Sequence, residues 1–300
     1  MENFTMERVT CNITCACNLK CRLCGAYIPY LRNGGQDMKK EYPLEHWIKI
    51  LDRYFQIVTH VNVLAISGGE PLLYPALPDF IYHLKQYQNA IGRIQIVTNG
   101  TIVPSQDVPN AAQKLGSQLY FNVDNYGEVS SAVKQLDTLL ALHEIPYIIR
   151  NYTKENPHCG GWVDFGGLTE QIHSTREETE EVFSKCANAQ RIHFCFLIAG
   201  GEMWPCDPAR RRRYLAPSVD DTEYLDLSDT SLSIEEQREK ITAIYAKKSL
   251  SACWYCNGLC DDSVRVVPGE QLNQEELACI KAGARSYQEV LSMLETKRHK

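Results

Sequence analysis

Apolar positions over the first half of the chain follow two alternating rhythms. Short, nearly continuous apolar runs read as buried strands: RVTCNIT (8–14), VNVLAIS (61–67), RIQIVT (93–98), QLYFNV (118–123) and IPYIIR (145–150). Between them the spacing turns helical. EHWIKILDRYFQIV (45–58) puts Trp47, Ile48, Leu51, Tyr54, Phe55 and Val58 on one face, Leu77, Phe80, Ile81, Leu84 and Tyr87 do the same near 76–88, and a further helix is expected near 130–142. Apolar strands separated by amphipathic helices predict an α/β fold with a parallel sheet under helices, and GWVDF (161–165) is the candidate sixth strand.

After about residue 185 the pattern changes. RIHFCFLIAGGEMWPC (191–206) predicts a hairpin about Gly200 and Gly201, and CWYCNGLC (253–260) a turn-rich ligand loop. From 273 onward the pattern is helical, with Leu277, Ile280, Tyr287, Val290, Leu291 and Leu294 as the apolar face. The expected organisation is a core domain over 1–185, a smaller cysteine-rich domain over 186–272 and a terminal helix over 273–300.

Composition narrows the class. Three hundred residues with 44% apolar content provide a large core, and no basic leader or long apolar stretch appears, so a cytoplasmic protein without a membrane partner is expected. A net charge of -6 argues against nucleic acid as a partner, although the run Arg210, Arg211, Arg212, Arg213 is suited to an anionic ligand. The thirteen cysteines change the picture most. Five fall within 11–24 and most of the others within 186–260, and in a reducing compartment such clustering reads as two metal sites rather than as disulfides.

The first cluster, CNLKCRLC (17–24), spaces Cys17, Cys21 and Cys24 by three and two residues in a loop after the first strand, where ligands gather in parallel α/β sheets. A structural zinc wants four protein ligands, and Cys11 or Cys15 is available as a fourth. An iron-sulfur cube held by three thiolates would instead leave one iron open to an outside ligand.

That spacing, with SGGEP (67–71) directly after the second strand, resembles the radical S-adenosylmethionine (radical SAM) superfamily. The resemblance implies a partial (β/α)6 barrel similar to a TIM barrel. It also implies a [4Fe-4S] cluster on Cys17, Cys21 and Cys24 whose fourth iron is chelated by S-adenosylmethionine, with Gly68, Gly69 and Glu70 at the methionyl amino group. VTNGT (97–101) and NVDNYG (122–127) resemble segments ending the third and fourth strands, which offers Asn99, Asn122 and Asp124 as further cofactor contacts and Arg150 for the cofactor carboxylate.

Cys186, Cys206, Cys253, Cys256 and Cys260 resemble the SPASM or twitch extension. Too few cysteines are present for a full SPASM pair of clusters, so one auxiliary [4Fe-4S] cluster on Cys186, Cys206, Cys253 and Cys256 is implied, with Cys260 spare or exchanging roles with Cys256. A zinc knuckle of the same residues is the alternative.

The implied reaction is reductive cleavage of S-adenosylmethionine, fed by an electron donor such as flavodoxin or ferredoxin, to a 5'-deoxyadenosyl radical that takes hydrogen from a substrate carbon. Oxidation follows if the auxiliary cluster accepts an electron, and epimerisation if a thiol returns hydrogen. Spare cysteines favour the epimerase, with Cys260 and Cys159 as candidate donors, and PHCGGWVDFGG (157–167) offers His158, Trp162 and Asp164 to the substrate. A polar small molecule such as a sugar, aminocyclitol or nucleotide sugar is the expected substrate. A peptide maturase is the second reading, disfavoured because only sixteen residues precede Cys17, and a zinc-binding interaction module is the third.

Overall fold

Thr5–Thr14 (β1), Leu44–Ile57 (α1), His60–Gly68 (β2), Leu77–Leu84 (α2), Ile91–Thr98 (β3), Asp107–Gln113 (α3), Leu119–Asn125 (β4), Val133–Leu142 (α4) and Tyr147–Asn151 (β5) alternate as the two rhythms predict. The computed structural model of the chain describes residues 3–33, 41–153, 157–215 and 221–299. Strands β1 to β5 lie side by side in chain order, and every neighbouring pair is parallel. A monotonic order means that each right-handed crossover steps the same way and places its helix on the same face, which curls the sheet toward a barrel.

One face of that sheet is apolar and the other polar. Val9, Cys11, Ile13, Leu64, Ile66, Ile94, Ile96, Phe121 and Val123 join the core with Trp47, Ile50, Leu51, Tyr54 and Ile57 of α1. The alternate residues Asn12, Gln95, Asn122 and Asp124 are buried on the inner face, where Arg8 donates to Gln95 across two strands. Strand side chains alternate between faces, so apolar runs interrupted by single polar residues fill core and interior at once.

The expected sixth strand is corrected. Trp162–Val163 (β6) stands apart from the sheet and pairs antiparallel with a later segment, Arg265–Val266. Gly160 and Gly161, at φ 74° and 104°, turn the chain away, and Asp164 stops the strand by accepting the Gly166 N–H at 2.8 Å.

Arg176–Lys185 (α5) and Ala187–Gln190 (α6) precede the expected hairpin, Phe196–Ala199 (β7) and Glu202–Trp204 (β8), which turns through Gly200 and Gly201. The hairpin continues the main sheet, β7 lying parallel to β1 on the side opposite β2. Asp207–Leu215 (α7), Leu225–Asp226 (β9), Ile234–Tyr245 (α8) and Arg265–Val266 (β10) follow, and β9 closes the eight-strand order β5-β4-β3-β2-β1-β7-β8-β9. The helical tail is two helices, Gln274–Lys281 (α9) and Tyr287–Arg298 (α10), parted at Gly283 with φ 112°. Among the described residues no helix is long and apolar enough to cross a membrane.

Candidate active site

The carboxyl ends of β1 to β5 share one edge of the sheet, and the first cysteine loop is fastened there. The Thr14 carbonyl accepts the Gly69 N–H at 2.7 Å and the Ala16 carbonyl accepts that of Glu70 at 2.8 Å. Such close approach needs glycine: a methyl at Gly69 would overlap the Ala16 carbonyl, lying 2.6 Å from its carbon and 3.1 Å from Cys17 Cβ. Gly68, at φ 133°, would likewise drive a side chain into Thr14. Gly69→Ala is therefore expected to cost about 1–3 kcal/mol, the usual range for overpacking, and to lower iron retention by the loop. Denaturant titration and iron assay of the variant check this.

Glu70 is fully buried at the end of β2, and its carboxylate accepts the N–H groups of Leu72 (3.0 Å) and Asn99 (2.8 Å). Burial pushes its carboxyl up to about 7, against the pull of those donors. The carboxylate thus ties the end of β2 to the end of β3. Asn99 in turn donates to Asn18 Oδ1 (3.1 Å) and its Nδ2 lies 3.9 Å from Cys17 Sγ.

Cys17, Cys21 and Cys24 act on one another. Burial first, then Cys24 and Cys17, push the Cys21 thiol up to about 12, and burial raises Cys24 to about 11 with a further contribution from Cys17. The alternatives for a fourth thiol lie elsewhere: Cys11 is fully buried on the apolar face of β1, and Cys15 is hydrogen-bonded to Arg210. Among the described residues no three His, Cys, Asp or Glu side chains are arranged to hold a single metal ion.

On the inner face, Asp124 accepts Arg150 Nε at 2.6 Å and the Tyr126 hydroxyl at 3.0 Å. The register places Asp124 directly beside Arg150 across β4 and β5, so this nitrogen of Arg150 is committed to a protein carboxylate. Asn122 is 5% exposed and its Oδ1 has no hydrogen-bond partner among the described residues. An orphaned buried acceptor facing the interior fits a hydroxyl-bearing ligand.

The second cysteine group borders a cavity of about 170 Å³ lined by Cys186, Cys206, Cys253 and Cys256, with Cys195, Asp207, Gly25 and Thr10 also on its wall. That is between five and six times a water's ~30 Å³ share of the liquid, far more than one ion occupies. Backbone N–H groups of Ala209, Leu250 and Gly258 donate to the sulfurs of Cys206 (3.4 Å), Cys253 (3.4 Å) and Cys256 (3.3 Å). Donors aimed at several sulfurs suit thiolates, which carry charge when they bind iron. Cys260 does not line the cavity; its Sγ lies 3.7 Å from the Val182 carbonyl.

Cys159 is exposed at φ 53°, His158 packs edge-on to Tyr152, and Trp162 packs edge-on to Tyr126. Asp164 is held by Gln288 Nε2 at 3.0 Å. The arginine run does not form an open anion site: Arg210 and Arg211 are buried, Arg211 donates to the carbonyls of Tyr30 and Arg285, Arg212 stacks 3.7 Å over Tyr255, and Arg213 lies over Tyr224.

Two residues escaped the sequence reading. Asp207, whose adjacency to Cys206 was the available signal, has a side chain 35% exposed, yet burial pushes its carboxyl up to about 6. Both hold if its open surface faces the cavity it lines rather than outer solvent. Gln271 reaches Cys21 from 250 positions away, with Nε2 3.2 Å from the sulfur, and no local pattern marks it.

Residues 11–153 match the family model described as the Radical SAM superfamily. No curated protein matches the chain. Among solved structures, BtrN in complex with AdoMet and 2-DOIA aligns at TM-score 0.50 and 15% identity, over 89% of this chain and 100% of that one, a likeness of fold. Native anSMEcpe with bound AdoMet aligns at 0.48 and 14% over 98% of each chain. Streptococcus suis SuiB bound to S-adenosylmethionine aligns at 0.44 and 14%, over 90% of this chain and 78% of that one.

Proposed function

We propose, from the match of residues 11–153 to the Radical SAM superfamily model, that the chain is a radical SAM enzyme that epimerises or oxidises a carbon centre in a polar small molecule. When bound, a [4Fe-4S] cluster and S-adenosylmethionine supply the one-electron cleavage that generates a hydrogen-abstracting 5'-deoxyadenosyl radical. Cys17, Cys21 and Cys24 hold that cluster in this reading, and Asn122 offers its unpartnered Oδ1 to a hydroxyl of the cofactor. Gly68 and Gly69 bring backbone close to the loop, Glu70 fixes the segment, and the Asp124–Arg150 pair sets the polarity of the interior.

The observation that supports a polar substrate is the character of the inner face: Asn12, Gln95, Asn122 and Asp124 are buried there, Gln95 paired with Arg8 and Asp124 with Arg150, so the interior is built for polar rather than apolar company. Cys186, Cys206, Cys253 and Cys256 hold an auxiliary cluster in the same reading. Electrons enter from a flavodoxin or ferredoxin. For epimerisation, exposed Cys159 is better supplied than Cys260 as hydrogen donor, because the Cys260 sulfur is buried toward the Val182 carbonyl.

Anaerobic reconstitution followed by iron assay is expected to give about eight irons per chain, two [4Fe-4S] clusters, with 5'-deoxyadenosine released in the presence of dithionite and S-adenosylmethionine. A thiol proton exchanges with solvent, so with aminocyclitols or nucleotide sugars in D2O an epimerised product carries one solvent deuterium. Cys159→Ala is expected to keep cofactor cleavage and lose that deuterated product. Unchanged deuterated product from both Cys159→Ala and Cys260→Ala would sink both as the hydrogen donor, an oxidised product without solvent deuterium would leave a dehydrogenase, and zinc without cleavage would overturn the enzyme reading.

A further inference from the structure

The first cysteine loop is paired with a distant strap, residues 269–272. Backbone bonds run from Arg22 N–H to the Glu270 carbonyl and from Leu272 N–H to the Lys20 carbonyl, both 2.8 Å, and Cys21 forms an antiparallel bridge with Gln271 between them. Arg22 reinforces the join by ion pairs to Glu270 and Glu276. Gly269, at φ 71°, lets the strap lie against Tyr126 beyond β4, where a methyl would come 2.6 Å from the ring.

Within this frame the Gln271 amide has one orientation. Its Oε1 accepts the Lys20 N–H at 2.7 Å, and its Nε2 donates to the Gly269 carbonyl at 2.6 Å. A flipped amide would set oxygen against oxygen at Gly269 and N–H against N–H at Lys20. The same orientation turns an N–H toward Cys21 Sγ at 3.2 Å.

We infer that Gln271 is a positioning residue that raises the reduction potential of the cluster held by Cys17, Cys21 and Cys24, through its N–H···S bond to Cys21. The inference rests on the proposed cluster at those three thiols. One electron arrives from an external low-potential donor, and no proton or heavy atom moves with it. The added negative charge is shared with the cysteine sulfurs, so a donor aimed at one of them favours the reduced state. The thiolate is charged in both oxidation states, so the expected scale is a fraction of one charge-assisted hydrogen bond, roughly a three- to tenfold change in the reduced-to-oxidised ratio at fixed poise.

The test is an electron paramagnetic resonance redox titration of reconstituted full-length wild type, Gln271→Leu and Gln271→Glu. The first-site signal is the one that changes on adding S-adenosylmethionine. Gln271→Leu removes the donor, and Gln271→Glu keeps the acceptor for Lys20 while placing a carboxylate beside the sulfur. Both variants are expected to hold wild-type iron and to titrate at more negative potential, Gln271→Glu by the larger shift. Unchanged or less negative potentials at wild-type iron content overturn the inference. So does loss of first-site iron from both variants with unchanged circular dichroism, which would assign Gln271 to holding the loop. Absence of the cofactor-sensitive signal from wild type would count against the cluster reading itself.

Discussion

Cys21→Ala is expected to abolish cofactor cleavage and to lower iron from about eight to about four per chain, because losing one of three ligands opens a second corner of the cluster. The side chain is 7% exposed and is held between the loop and the strap, so no neighbouring thiol is free to swing into its place. Cys11 and Cys15 are the nearest in sequence, but one is packed in the core behind β1 and the other is engaged with Arg210. Cys11→Ala therefore serves as the matched control. It removes a thiol of equal size from the apolar face, with an expected cost of about 1–2 kcal/mol in stability and full iron and 5'-deoxyadenosine yields. Iron assay and 5'-deoxyadenosine quantification on the two variants check the pair of outcomes. Equal iron in both would mean that the three-thiol set does not hold a cluster.

The contrast between Cys11 and Cys21 also marks what the sequence could convey. Both lie in a cysteine-dense stretch, and alternation along β1 alone separates the one behind the sheet from those in the loop beyond its end. Parallel strands and α1 were legible because their apolar periods are long and their neighbours are local. GWVDF failed as a barrel strand because two glycines and an Asx turn outweigh a short apolar pattern. The helices α5, α8 and α9 are capped by Thr175, Ser233 and Asn273, each with a capping-box glutamate three residues on, and that signal was available for two helices the periodicity did not mark. Gln271 and the burial of Arg210 and Arg211 were beyond reach, since they depend on segments that meet only after folding.

The second cysteine group is where the competing readings diverge most, and Cys253→Ala separates them. Cys253 lies in a single helical turn, Ser251–Tyr255, and its sulfur accepts the Leu250 N–H while facing a cavity shared with Cys186, Cys206 and Cys256. Burial pushes its thiol up to about 12, so iron binding must displace the thiol proton. With the ligand removed, iron is expected to fall by about four while the first site keeps its own and continues to yield 5'-deoxyadenosine. Product formation should be lost, because oxidation of the substrate carbon then has no nearby electron acceptor and epimerisation has no means of resetting the hydrogen donor. Cleavage without product is the signature of two separate sites with separate tasks. Cys260→Ala should leave iron unchanged, since the Cys260 sulfur lies off the cavity wall. If Cys260→Ala sheds the iron instead, it is the fourth ligand, and one of the four cavity thiols becomes the candidate donor. If Cys253→Ala sheds one zinc and no iron, the second group is a structural knuckle and the reaction must draw its redox partner from outside the chain.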